Sequence, residues 1–485
     1  MDPLYDPVAP TRQGYVTVPL HHHHGLAAAK DDSDGGPSLF WEVFSPPPSP
    51  PSPSPPSSSS PSSSSPLPPL GAQRDPCDKV VLVMGAFCTR RMFEPLAAEL
   101  ARRGYHALVF DHRGVGASSP AAAPSSAKAP PPPPPPPSAR LLAADALAVA
   151  DHAFGDNDGP NSHPPKLHVL GASMGGMVAC ELAVLLARGQ EGRRGARSGS
   201  GRPTTTTATA PPSSRLASLT VMVSCRGLQP ALWRAFGFSP PPAVLQPIIR
   251  WLFPVPPPAQ ASPSTAPGAR TPPPCPAVAR MVERLMRDIV CPRLLETPYP
   301  DQRRAAEFVA KVKASSSGGD GDDDAPTAAP AAPPSSSSAP STLTYRDAYR
   351  ALWTSRFHEL FCFADPSVGA YHTSLLFGTR LSARKAAAIS SCGAPVLSLV
   401  AERDSVLAPR AQRELARMLG ARVVSVPTGH VGLGPWQQVF YEALDETLRA
   451  GRVAMAAGAE AGAGAGSGGG GGDLAPPAAT VAVRA

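Results

Sequence analysis

Short apolar runs that alternate with helix-like segments restrict this chain to very few architectures. Val80 to Met84, Tyr105 to Phe110, Lys166 to Leu170, Leu219 to Ser224, Pro395 to Ala401 and Ala421 to Val426 are each almost continuously apolar. Such runs are expected where a parallel strand is covered on both faces. Between them lie helix-like stretches from Arg91 to Arg103, Arg140 to Phe154, Met174 to Arg188 and Arg410 to Leu419, with a last one from Pro435 to Arg449. Repeated strand-helix-strand units imply a mainly parallel sheet flanked by helices, an α/β fold. Ahead of them, Gly14 to Leu20 and Leu39 to Phe44 read as two short strands of a hairpin. His21 to His24 lie between these strands. Adjacent histidines on an extended loop point in different directions, so a solvated tip is expected there rather than a metal site.

Length alone suggests two or three domains, but 65 of the 485 residues are proline, gathered in tracts with Ser, Thr, Ala and Gly. Such tracts cannot bury a core. Without them roughly 330 residues remain, enough for one large domain with an inserted lid. The expected organisation is a core over residues 10–226 with low-complexity inserts at about 45–70, 119–138 and 190–214. A helical lid over 227–391, itself carrying such inserts, follows; the core resumes over 392–451, and 452–485 form a disordered tail. Within the lid, Val278, Met281, Val282, Leu285 and Ile289 fall on one helical face, as do Tyr345, Tyr349, Leu352 and Trp353. Both stripes are expected to be lid core rather than substrate wall.

The formal net charge of +7 is scattered, and its densest group, Arg193, Arg194, Arg197 and Arg202, lies in an insert. No nucleic-acid partner is expected. Eight irregularly placed cysteines form neither a CxxC pair nor a disulfide frame, which suits a reduced, cytoplasmic setting. The N-terminus has no apolar signal-like region and no apolar stretch is long enough to span a bilayer, so no membrane span is expected.

The chemistry is concentrated at Gly171-Ala172-Ser173-Met174-Gly175, a G-x-S-x-G pattern between an apolar strand and a helix. There a serine sits on a strained turn above the sheet edge, and the N–H of Met174 at the helix start can face a developing oxyanion. A serine hydroxyl is a poor nucleophile without a base. His430, in Pro427-Thr428-Gly429-His430 just after the last strand, is the best-placed base, whereas His106 and His168 in strands and His358 and His372 in the lid read as structural. Glu402 and Asp404 both follow the preceding strand; Asp404 is the preferred orienting acid because the turn before Val406 aims it across the sheet edge.

On these residues the chain resembles the α/β-hydrolase fold superfamily, of the AB hydrolase-1 type and like its plant-type members with a helical lid. The acid-base order is Ser, Asp, His, and the likeness runs from Val80 to near Arg449. Met84-Gly85-Ala86-Phe87 occupies the place of the family's usual His-Gly-apolar loop, which makes the backbone N–H of Ala86 the second oxyanion donor. Asp111-His112-Arg113-Gly114-Val115-Gly116-Ala117-Ser118 resembles the family's structural D-x-R-G-x-G-x-S turn. With Ser173 rather than Asp at the elbow, the resemblance implies cleavage of a carboxylic ester, thioester or related acyl bond through an acyl-serine intermediate; no cofactor or metal is expected, and the apolar lid helices suggest a small lipid-like or aromatic ester. Two rival readings remain: a hydrolase-fold receptor with little turnover, and a scaffold whose proline tracts bind partner domains.

Overall fold

The computed structural model describes residues 8–18, 36–47, 79–118, 138–155, 164–188, 214–227, 276–316, 342–362, 366–464 and 480–482. The histidine run 21–24 and most of the low-complexity inserts therefore lie outside the described residues.

Two strands, β1 (Arg12–Thr17) and β2 (Ser38–Phe44), pair antiparallel, and β2 then pairs antiparallel with a strand of the main alternation. That alternation runs β3 (Lys79–Val83), α1 (Glu94–Arg102), β4 (His106–Phe110), α2 (Ala139–Gly155), β5 (Leu167–Ala172), α3 (Met174–Ala187) and β6 (Leu216–Met222). After a helical excursion it resumes as β7 (Val396–Ala401), followed by a helix over Pro409–Leu419 and β8 (Arg422–Val426). The strand order is β1-β2-β4-β3-β5-β6-β7-β8, with all pairs from β4 onward parallel.

Burial explains the unbroken apolar runs. Every residue of β6 and of β7 is buried, because helices cover both sheet faces. Successive side chains alternate between two cores: Val81, Val83, Val169 and Val221 pack with α2 and α3, while Val80, Leu82, Leu399 and Val424 pack with α1 and the C-terminal helix.

The excursion holds α4 (Pro276–Ile289), α5 (Pro292–Glu296), α6 (Gln302–Ser316), α7 (Tyr345–Ser355) and α8 (Phe357–Leu360), then α9 (Pro366–Gly378) and α10 (Ala383–Ser390). Helices α4 to α8 share a third apolar core of their own, including Met281, Leu294, Tyr349, Trp353 and Phe357. This is the cap. Leu375 of α9 and Ala386 and Ile389 of α10 instead join the sheet core beside α3. The expected lid over 227–391 is corrected accordingly. Its last part is a crossover layer of the sheet, which the parallel β6–β7 pair requires.

The expected disordered tail also needs correction. After α11 (Pro409–Leu419), helix α12 runs Gln437–Gly464, well past Arg449, and β9 (Thr480–Ala482) adds to β8 in parallel. Residues 452–461 are rich in alanine, the strongest helix former. Met455 and Arg452 also have partners: Met455 is buried, and Arg452 donates to the Tyr105 hydroxyl at 3.0 Å. Among the described residues no helix is long and apolar enough to cross a membrane.

Candidate active site

The carboxyl edge of the parallel sheet collects four loops, those following β3, β5, β7 and β8, where ligands of open α/β sheets bind. Ser173 follows β5 with φ 56° and ψ −122°. A residue bearing a Cβ adopts that conformation only under constraint. The constraint is visible: Ser173 N–H donates to Met222 O at 2.9 Å, and Ser224 Oγ donates to Ser173 O at 2.7 Å. The flanking glycines are demanded by close approach, since a Cβ on Gly171 would lie 2.2 Å from Gly175 O, and one on Gly175 would lie 2.2 Å from Val83 O.

The three candidate side chains are in hydrogen-bond contact. His430 Nε2 lies 3.0 Å from Ser173 Oγ, and His430 Nδ1 lies 2.8 Å from Asp404 Oδ2. An ionised carboxylate only accepts, so Nδ1 carries the proton and leaves Nε2 free to accept from the serine. Asp404 is buried, and its Oδ1 accepts the N–H groups of Val406 and Leu407, each at 2.8 Å. Glu402 points elsewhere, into an ion pair with Arg413.

Two residues of this site were not singled out from the sequence. Gln412 on α11 donates to Asp404 Oδ2 at 2.8 Å, and its Oε1 accepts the N–H of Ala401 at 3.0 Å, so one buried amide fixes both the carboxylate and the strand that carries it. Only its position in the first turn of the helix after the acid loop hints at this. The other is His372. Read from sequence as a structural histidine of the lid, it lies on α9, fully buried, and its Nδ1 accepts the N–H of Phe87 at 3.0 Å across 285 residues of chain. No local pattern announces such a contact.

The loop after β3, Gly85-Ala86-Phe87, forms a strap beside Ser173. Phe87 has φ 63°, its N–H is taken by His372, and its carbonyl accepts from Cys362 at 3.0 Å. Ala86, which the resemblance makes a second oxyanion donor, is the middle residue of this strap and borders the same cavity as Ser173. Met174 opens α3, where first-turn N–H groups have no intrahelical acceptor. Behind the strap, Arg90 pairs with buried Asp111 at 2.6 Å and Glu42 at 3.0 Å, and Arg113 pairs with Asp145 at 2.5 Å. Through buried Asp111 and His112 the turn at 111–118 is thus a scaffold for the strap.

Above these groups is a cavity of about 400 Å³ that reaches Ser173 and His430. Phe87, Leu285, Ile289, Tyr349, Trp353 and Phe361 supply much of its wall. Part of each stripe expected to be lid core therefore also faces this space: Leu285 and Ile289 from one, Tyr349, Leu352 and Trp353 from the other. Cys88 borders the cavity too, and burial pushes its thiol up to about 12, which disfavours the thiolate. Among the described residues no group of three or more His, Cys, Asp or Glu side chains is placed to hold a metal ion.

A family model described as serine aminopeptidase, S33, matches residues 74–196. A search of curated proteins gives no match. Among solved structures, a hydrolase from Pseudomonas aeruginosa is similar at 16% identity with a TM-score of 0.44, covering 90% of this chain and 98% of that one. A thermophilic esterase from Thermogutta terrifontis is similar at 14% identity and a TM-score of 0.44, covering 91% and 99%. An enol-lactonase from Burkholderia xenovorans is similar at 13% identity and a TM-score of 0.42, covering 85% and 97%.

Proposed function

We propose that this chain, from its sheet order and the family-model match over residues 74–196, is an α/β-hydrolase-type serine hydrolase that cleaves carboxylic esters of apolar acyl groups through an acyl-serine intermediate. The observation that carries this reading is the unbroken contact from Ser173 Oγ through His430 to buried Asp404, set under an apolar cavity.

In the proposed reaction Ser173 Oγ attacks the ester carbonyl carbon while its proton passes to His430 Nε2. The carbonyl oxygen becomes an oxyanion that accepts from the N–H groups of Met174 and Ala86. Asp404 stabilises the imidazolium formed and holds the productive tautomer. When the tetrahedral carbon collapses, the bond to the leaving alkoxide breaks and His430 returns the proton to it. Water then attacks the acyl-serine, again giving its proton to His430, and the acid leaves with Ser173 restored. The mostly carbon-lined cavity favours an acyl chain or aromatic ring, since burying apolar surface supplies about 25 cal/mol per Å².

Labelling with a fluorophosphonate, followed by mapping of the modified peptide, tests the nucleophile. A panel of aryl esters and aminoacyl anilides tests the bond cleaved. Covalent modification at Ser173 and hydrolysis of apolar esters are expected, with both lost in Ser173→Ala. Folded wild-type protein that neither labels nor turns over any acyl substrate, yet binds a small ligand tightly, would establish the receptor reading instead. Preferential cleavage of the anilides would redirect the proposal from esters to aminoacyl amides.

A further inference from the structure

The strap that offers Ala86 N–H is short, and its last residue, Phe87, stands at φ 63°. A backbone held in that region relaxes unless its polar groups are tied down. The residue before the strap glycine is Met84. Two histidines take hold of the strap. His372 Nδ1 accepts from Phe87 N–H at 3.0 Å, and His112 Nε2 lies 3.3 Å from Met84 O.

The hydrogen-bond inventory fixes both rings. Phe87 N–H can only donate, so His372 Nδ1 is bare and its proton is on Nε2. Met84 O can only accept, so His112 carries its proton on Nε2 and its Nδ1 is bare. Both rings are fully buried and face each other at 6.3 Å between centroids, nearly perpendicular. Burial lowers His112 to about 4 and His372 to about 3, so both are neutral at working pH. The nitrogens left over are His372 Nε2–H, a donor, and His112 Nδ1, an acceptor, and neither has a partner among the described residues. They are complementary, one a donor and the other an acceptor.

We propose that His372, braced by His112, is the positioning residue of the oxyanion strap, holding Phe87 N–H and Met84 O so that Ala86 N–H stays aimed at the reacting carbonyl oxygen. The role rests on the serine hydrolase reading above. Neither ring touches substrate. Each acts on the reaction through the two peptide groups that flank Gly85-Ala86.

The test pairs a spectroscopic measurement on the wild type with two variants of the full chain. In protein carrying ¹⁵N-histidine, long-range correlation spectra should show both buried rings neutral and protonated at Nε2. His372→Asn keeps an acceptor at the place of Nδ1, whereas His372→Phe keeps the ring shape and leaves Phe87 N–H unpaired. Activity is read as kcat and KM on an aryl ester, normalised to fluorophosphonate-titrated sites, so that a loss of folded protein does not count. His372→Phe should lose at least about tenfold in kcat per titrated site with KM little changed, because the interaction that weakens is made to the transition state. His372→Asn should recover most of that loss. A His372 ring protonated at Nδ1, a wild-type kcat in His372→Phe, or no rescue by Asn would each overturn the proposal; the first decides it even if the Phe variant does not fold. Failure of the hydrolase reading looks different: wild type would then fail to label at Ser173, and the positioning role would fall with it.

Discussion

Asp404 and Glu402 stand two residues apart on one loop, and their surroundings give them different work. Asp404 is buried with four donors around it, from Val406, Leu407, Gln412 and His430, while Glu402 lies at the surface against Arg413. Asp404→Asn should reduce kcat by about 10⁴-fold, since an amide in that place favours the wrong imidazole tautomer. Glu402→Gln should leave kcat within about twofold, as expected for one exposed ion pair. Steady-state kinetics on one ester settle the pair, and the reverse outcome would transfer the role to Glu402. His112 and His372 carry a different expectation, one of stability. Below the free-imidazole value of 6.5 the unfolded chain takes up protons that these folded rings refuse, so their contribution is complete above 6.5 and is lost as pH falls toward about 4 and about 3. Each ring removes roughly 1.4 kcal/mol per pH unit across that window. Urea unfolding at pH 7 and pH 5.5 should therefore show a smaller loss in His372→Asn than in wild type; an equal loss would mean that His372 is already charged in the native state. The residues of the serine, base and acid loops were legible because each sits in a short local pattern. His372 and Gln412 were not, since their partners are brought to them only by the packing of α9 and α11.

At the scale of elements, strands were easier to read than helices. A parallel strand covered on both faces favours a nearly continuous apolar run, as in β3 to β7, whereas β8, nearer the sheet edge, leaves Arg422, Val423 and Ser425 half-buried. Helix stripes say only that one face is buried, not against what. That ambiguity is why α9 and α10 read as lid although they pack beside α3, and why the stripes of α4 and α7 read as core although they also wall the cavity. The end of α12 was missed for another reason: a glycine- and alanine-rich composition hides single anchoring side chains. Truncation after Gly451 removes Met455 and the contacts of Arg452 with Tyr105, whose ring its guanidinium covers at 5.2 Å. Burial of one methionine is worth about 1.5–3 kcal/mol, so a drop of about 2 kcal/mol in unfolding free energy is expected. Truncation after Gly464 should cost much less. Equal stability of the two truncated proteins by chemical denaturation would show that α12 contributes nothing beyond Gly451.

For the molecule as a whole, the direction of the sheet sorts the low-complexity segments by where they attach. Ser173, the strap, Asp404 and His430 all lie at the carboxyl ends of β5, β3, β7 and β8. Residues 48–78 connect β2 to β3, and because β2 runs antiparallel to β4, they attach at the opposite edge. Residues 189–213 join the end of α3 to the start of β6 and also attach there. By contrast 119–137 follow the turn after β4, and 228–275 follow β6, on the side of the candidate site. Shortening a loop changes its closure entropy only logarithmically, by about 0.6 kcal/mol for each halving. Halving 48–78 and 189–213 together should therefore move the unfolding free energy by no more than about 1–2 kcal/mol and leave kcat/KM for an aryl ester unchanged. The expectation is specific to these two segments because both their anchor points lie across the sheet from the chemistry. A variant so shortened that fails to hydrolyse an aryl ester the full chain turns over, while keeping its fold by circular dichroism and fluorophosphonate titration, would mean that one of these segments reaches around the sheet to the cavity and takes part in binding substrate.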